Sequence, residues 1–321
     1  MLVGAGVATG SFRQRFSRIV RAGLMGLCLA LASAQACAAR VTVVLSDDSA
    51  PYQEVYQVIR AYLDDTAHEA VRVYAKKLTS LSLGEARVVV AVGVRAAETM
   101  AALPVRPAVL AVLVPRTWYI KTGRAQLNDR DSNHASAIYL DQPFERQAQL
   151  IRLAFPDLKR VGVLMSADQS NFVSELDDAL QARQISLVHQ IVAADARLIT
   201  PLEQVLSGTE LLLAIPDPLI FNRNTAQSVF LTSYRHRVPV FGYSRSLTRA
   251  GALVSLHSSP AQIGRQSAEW VSGALQGATV KLPPPAYPAY FSVSINEHVA
   301  HSLGFSLPLE TELETRLGGG R

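Results

Sequence analysis

The strongest constraint on the fold is a recurrence of short apolar runs, hydrophobic on both faces, each followed by a turn and then by apolar residues at helical spacing. Residues 41–45 (VTVVL) run into a polar turn ending at Pro51, after which Tyr52, Val55, Tyr56, Ile59 and Leu63 recur every three or four residues. A strand that is apolar on both faces has to be covered on both, and a helix returning after each strand does so. The cycle repeats with strand 88–92, the turn at Gly93 and helix 95–103, and then with strand 109–114, which ends at Pro115. Residues 121–134, rich in Asn, Asp, Arg and Gly, read as an exposed loop. Strand 136–140 then enters a second set of cycles, with helices expected over 142–155, 171–183 and 224–234 and strands over 161–165, 186–192, 211–215, 238–243 and 253–256. The pattern predicts an α/β fold of two doubly wound, parallel-sheet, Rossmann-like lobes.

The last part of the chain is less regular. Helix 260–276 is followed by a stretch holding Pro283, Pro284, Pro285 and Pro288, semi-rigid and suited to crossing between lobes. A last strand (291–295) and a short helix (297–303) ended by Gly304 follow. The expected division is 40–138 with about 260–281 in the first lobe and 139–259 with about 282–317 in the second, leaving 318–321 as a flexible tail.

Residues 1–39 have the layout of a cleaved secretory signal: Arg13, Arg15, Arg18 and Arg21, then the apolar run 22–32, then the small residues Ala34, Ala36, Ala38 and Ala39. That run is shorter than the ~20 apolar residues a membrane helix needs, so no stable insertion is expected after cleavage. Cys37 raises lipid anchoring as an alternative, without the leucine usually found before a lipidated cysteine. Setting the four arginines aside lowers the net charge from +5 to +1, so the basic character belongs to the leader and nucleic acid is not an expected partner. Both cysteines, Cys28 and Cys37, lie in or beside the leader, so no disulfide is expected in the exported chain.

Enzyme motifs fail on their mechanics. In Gly242-Tyr-Ser244-Arg-Ser246 a serine stands where a nucleophile elbow needs its second glycine. Gly4, Gly6 and Gly10 lack a preceding strand and the final spacing of a dinucleotide loop. His298 and His301 have helical spacing but no further ligands to complete a metal shell, and there is no phosphate loop. No catalysis, cofactor or metal is expected.

Several segments taken in order resemble a known family. The runs 211–217 (LLLAIPD), 237–244 (RVPVFGYS), 251–253 (GAL), 262–266 (QIGRQ) and 296–308, with 92–97 (VGVRAA), Gln142-Pro143 and 156–164 upstream, are similar to the tryptophan/tyrosine-type substrate-binding proteins of ABC transporters. The resemblance covers nearly all of 41–308. It implies a type I periplasmic-binding architecture with three crossovers, a small-molecule ligand held between the lobes, a permease and an ATPase as partners, a periplasmic location and a monomer. A sensory or scaffold module of the same fold is the alternative. Related amino-acid binders usually carry a threonine between the proline and aspartate that here are adjacent as Pro216 and Asp217, which counts against an aromatic amino acid.

In open parallel sheets ligands bind beyond the carboxyl ends of the strands. Those ends offer Ser46, Asp47, Tyr52, Gly93, Val94, Pro115 and Arg116 in the first lobe, and Ser166, Asp217, Asn222, Tyr243 and Ser244 in the second. Arg116 reads as an anion clamp or a solvated loop arginine. Asp217 reads as a ligand carboxylate or a helix cap, and Tyr52 and Tyr243 as stacking faces or core. Tyr139 and Asp141 fall at the first crossover, as hinge or ligand contacts.

Overall fold

Valine-rich strands with no polar face can only be interior strands, and the computed structural model places them in two sheets. It describes residues 39–104, 107–128, 134–193, 197–222 and 224–318. The expected leader apart from Ala39, with Cys28 and Cys37, and the tail beyond Gly318 lie outside the described residues.

The first sheet has the order β2-β1-β3-β4-β5, all parallel, with β1 Arg40–Leu45, β2 Glu69–Tyr74, β3 Val88–Val92, β4 Ala108–Val114 and β5 Ala135–Tyr139. Val41, Val43, Leu45, Val88, Val90 and Val92 pack one way, under Val55, Ile59 and Leu63 of α1 (Ala50–Asp64). Val44, Val89 and Ala91 pack the other way, under Ala96, Ala97 and Met100 of α2 (Val94–Ala101). Two-sided coverage is therefore met, as strands of this composition require.

Beyond β4 the chain forms α3 in three continuous segments: Arg116–Trp118, a π-type turn Tyr119–Gly123, and Arg124–Leu127. The exposed loop expected from 121 is thus helical as far as Leu127. Tyr119, Gly123 and Leu127 are spaced four apart and buried, while Lys121, Arg124 and Gln126 point out to solvent. A polar outer face masked a narrow apolar stripe. Positions 129–133 of that expected loop lie outside the described residues. A second correction concerns β5, which pairs with β4 at the edge of the first sheet rather than opening the second. The edge strand β2 went unread because it is half exposed and carries Glu69 and Arg72 within its run.

The second sheet has the order β11-β10-β9-β8-β6-β7: β6 Arg160–Ser166, β7 Ser186–Val192, β8 Leu211–Leu213, β9 Val240–Gly242, β10 Val254–His257 and β11 Ser292–Ile295. All pairings are parallel except β11 on β10. Its helices are α4 (Phe144–Ala154), α5 (Val173–Gln181, entered through a 3-10 segment, Ala167–Phe172), α6 (Ile199–Leu206), α7 (Ala226–Arg235), α8 (Arg245–Ala250), and, after α9 (Pro260–Leu275), α10 (Glu297–Leu303) and α11 (Glu310–Arg316). Between them α9 (Pro260–Leu275) returns to the first sheet, setting Ile263, Val271 and Leu275 into its core beside α1. The segment after α9 runs along β5, where Ala286 N–H donates to Ala137 O (2.9 Å) and Tyr139 N–H to Ala286 O (3.0 Å), before reaching β11. The chain thus crosses between the sheets three times.

Gly93 fixes the turn from β3 into α2. Its φ is +86°, and a Cβ there would lie 2.6 Å from Ser46 Oγ and 2.8 Å from the Tyr52 hydroxyl. Gly93→Ala should therefore cost about 1–3 kcal/mol in urea unfolding. Gly273, exposed in α9 with open space at its Cβ position, makes the control: Gly273→Ala should stabilise by about 0.5–1 kcal/mol. Equal effects of the two substitutions would remove the steric account of Gly93.

Candidate functional site

The carboxyl ends of β4, β6 and β8 face one cleft of about 450 Å³. A bulge near the end of β4 starts this geometry: the pairing with β5 slips between Val112 and Val114, and Leu113 takes φ +54°. Left-handed backbone is costly for a leucine, and such positions persist where the surroundings enforce them. Pro115 caps α3 directly after, and the first two turns of α3 bring Thr117, Trp118, Lys121 and Thr122 to the cleft.

The opposite wall is built around Asp217. Ser166 N–H, at the end of β6, donates to Asp217 Oδ2 (2.8 Å), and Leu219 N–H donates to Oδ1 (3.0 Å). One buried carboxylate thereby ties the ends of two neighbouring strands. Gln169 Nε2 donates to Pro216 O (2.8 Å) and fixes the adjoining 3-10 segment. Ser166, Pro216, Pro218, Leu219 and Val192 complete a largely apolar lining.

Behind the cleft the two halves are bridged. Arg116 Nη1 donates to both Glu175 oxygens at 2.8 Å, while its guanidinium lies 4.6 Å from the Phe172 ring centre and 5.3 Å from that of Tyr287. This is a charge-assisted pair between aromatic faces, neither a loop arginine in solvent nor a free anion clamp. Arg116 N–H also donates to Asp141 Oδ2 at 2.6 Å. Desolvation pushes the Asp141 carboxyl up to about 6, against the backbone hydrogen bonds and the Arg116 charge that pull it down. Tyr139 is buried between the rings of Tyr119 (5.9 Å) and Tyr287 (5.5 Å). Nearer the cleft mouth, Lys121 Nζ pairs with Asp168 Oδ1 at 3.0 Å.

Pro115, Ser166 and Asp217 are thus brought together in the cleft, with Arg116, Tyr139 and Asp141 behind it. Ser46 and Asp47 line a separate recess of about 270 Å³ with Tyr74, Lys77 and Arg95. There Ser46 Oγ donates to Val92 O and accepts from Ala96 N–H, capping α2 at the Gly93-Val94 turn. Tyr52 stands beside it, its phenol pushed up by burial and then by Asp47. Asn222 and Ser244 are caps: Asn222 Oδ1 accepts from Asn224 and Thr225 N–H, and Ser244 Oγ accepts from Leu247 N–H at 3.2 Å. Tyr243 packs edge-on to Phe221, and burial pushes its phenol up to about 12. Sequence reasoning missed Thr117, Trp118, Lys121, Thr122 and Gln169. The four-residue spacing of Tyr119, Gly123 and Leu127 was the signal that marks the helix presenting most of them.

The model of the ABC transporter substrate binding protein family matches residues 55–312. No curated protein matches the sequence. Among solved structures, a conserved domain protein from Vibrio cholerae is 18% identical, covers 87% of this chain and 98% of its own, and superposes with a TM-score of 0.61. An ABC domain from Streptococcus pneumoniae in complex with L-Trp is 16% identical, with coverages of 88% and 99% and a TM-score of 0.61. A ligand-free, open substrate binding protein with adhesive properties from Clostridium difficile is 13% identical, with coverages of 84% and 96% and a TM-score of 0.66. At these identities the likeness carries the fold, which with its two sheets and three crossings is the type I periplasmic-binding architecture.

Two substitutions test this reading of the carboxylates. Asp217→Ala leaves the amides of Ser166 and Leu219 without their acceptor and should lower stability by about 1–3 kcal/mol in urea unfolding; an unchanged midpoint would refute the tie. For Asp141 the folded carboxyl titrates near 6 and the unfolded one at about 3.9. Between those values the folded state holds more protons, so this group's contribution to stability falls as pH rises from about 4 to about 6 and stays reduced above. Asp141→Asn should therefore gain stability relative to wild type between pH 4 and pH 7. A difference independent of pH would show that Asp141 is not desolvated.

Proposed function

Because this chain belongs to the ABC transporter substrate binding protein family, we propose that it is the exported, periplasmic solute-binding component of an ABC-type importer. It takes a small polar or amphipathic molecule between two lobes, delivers it to a permease and its ATPase, and performs no chemistry of its own. The observation that carries this reading is the cleft itself: its walls come from strand ends of both sheets, so a bound solute touches both halves of the molecule. No group of three or more His, Cys, Asp or Glu that could hold a metal occurs among the described residues. No helix among them is long and apolar enough to cross a membrane. The sensory or scaffold alternative has no observation of its own in its favour.

The mechanism is hinge closure. The lobes are 40–138 with about 260–281 and 139–259 with about 282–317, the stretch around Ala286 running along β5 of the first lobe as the third crossing, and they act as a monomer with Tyr139 and Asp141 at the first crossing. The Arg116–Glu175 and Lys121–Asp168 pairs join α3 of one half to the 167–175 segment of the other. A solute then moves the equilibrium only by the difference between its affinities for the closed and open states.

A thermal-shift screen against amino acids, small carboxylates, nucleobases and sugars tests the proposal. A true ligand at about 100 times its Kd adds about 2.7 kcal/mol of stability, enough to raise Tm by several degrees. Arg116→Ala should enlarge the ligand-free radius of gyration in small-angle scattering and weaken that ligand. Absence of any thermal shift would overturn solute binding, whereas an unaltered radius and affinity in Arg116→Ala would overturn only its part in closure.

A further inference from the structure

A second cavity lies outside the cleft. It is a groove of about 510 Å³ over the edge strand β5, between α3 and the crossing segment at Pro285, Ala286 and Tyr287. The buried rings of Tyr119 and Tyr139 line it, and Ile120, half exposed, adds an aliphatic wall. Among the described residues none lines both cavities: α3 turns Lys121 and Thr122 to the cleft, and Ile120 and Arg124 to the groove.

The charge of the groove is one-sided. Of the three cations on α3, Arg116 pairs with Glu175 and Lys121 with Asp168. Arg124 has neither an ion pair nor a side-chain hydrogen bond among the described residues, and no carboxylate among them lines the groove. Burial pushes the phenols of Tyr119 and Tyr139 up, and the Arg124 charge pulls on both in the other direction, so its guanidinium stands near the two hydroxyls.

Tyr139 carries an independent sign. The residue is only 8% exposed, yet its hydroxyl makes no hydrogen bond with the described residues. Unlike Thr42 Oγ1 and Ser233 Oγ, it is not sealed from solvent. A donor held among buried rings without an acceptor, and a neighbouring cation without an anion, are met together by one anionic oxygen group.

We propose that the groove between α3 and the third crossing is a second ligand site, taking a small amphiphilic carboxylate with its anion on Arg124 and the Tyr139 hydroxyl and its apolar body against Ile120 and Pro285. A bare ion would leave most of the groove empty, whereas a short aliphatic chain removes apolar surface from water on both partners. An amine of the same shape would meet Arg124 as a like charge. This site goes beyond the solute cleft and does not depend on what the cleft binds.

Calorimetric titration of the full-length protein with hexanoate tests the site, with acetate, hexanol and hexylamine as probes that lack the body, the charge or its sign. The expected result is saturable binding of hexanoate, about tenfold or more tighter than that of each other probe. Arg124→Gln should weaken hexanoate about tenfold, and Arg124→Lys, which keeps the charge without the planar fork, should weaken it less. Tyr139→Phe, which keeps the ring, should weaken it about fivefold with the ligand-free Tm unchanged, an outcome that a purely structural tyrosine would not give. Lys121→Ala removes the cleft cation on the same helix and should leave hexanoate affinity within about twofold of the native protein. Hexanoate binding lost in Lys121→Ala but kept in Arg124→Gln would place the anion in the cleft and overturn the groove. Acetate bound as tightly as hexanoate would reduce the groove to an ion site, and hexanol or hexylamine bound as tightly would remove the anion from it. Each of those results overturns the proposal, as does the absence of hexanoate binding.

Discussion

Two-sided burial of the parallel strands is the constraint on which the rest of this structure depends. Interior strands such as VVVAV at 88–92 leave no polar face to meet water, so every face must be roofed and every irregular turn is pushed to the strand ends. The first sheet cannot roof itself from its own contiguous sequence, because α1 needs a neighbour on the same face. That neighbour, α9, lies more than a hundred residues beyond β5 and arrives only after the second sheet is nearly complete. The return of the chain to supply it accounts for the second and third crossings, and the crossings are what allow two roofed sheets to face each other across a cleft.

Placing all turns at the strand ends also creates a demand for hydrogen bonds. Each helix that begins there has amide donors without intrahelical partners. Short polar side chains meet that demand: Ser46 for α2, Ser244 for α8, Asn222 before α7, and Asp217 for the turn after β8. Residue types that read as ligand-binding in a sequence are the same types that cap helices, and here capping consumes most of them. Much of the remaining cleft lining comes from α3, where the bulge at Leu113 and the π-type turn divert the chain from ideal geometry. Departure from regular backbone marks the α3 wall of the cleft more clearly than polarity does.

That division explains what was legible in the sequence. Strand 88–92 and helix 260–275 could be placed to within a residue because their patterns are imposed by burial, which is written into residue type. The strand ends could be located for the same reason, and Pro115, Ser166 and Asp217 do share the cleft. Residues 116–127 could not be read so directly, since their buried stripe is only Tyr119, Gly123 and Leu127, one of them a glycine that ordinarily signals a loop. Arg116 was legible as a charged residue at a strand end, but not as the partner of Glu175, because pairing across 59 positions is set by tertiary geometry alone.

The use of ion pairs where the two halves meet has a physical logic. Had the seam between α3 and the 167–175 segment been apolar, each separation would expose that surface to water at a cost proportional to its area. Charged groups regain hydration on separation, so exposed pairs such as Lys121–Asp168 contribute little net free energy to holding the halves together. The more sheltered Arg116–Glu175 pair sits behind the cleft, with its guanidinium flanked by the aromatic rings of Phe172 and Tyr287. The two halves are thus joined by a sheltered tie behind the cleft and a more hydrated one at its mouth.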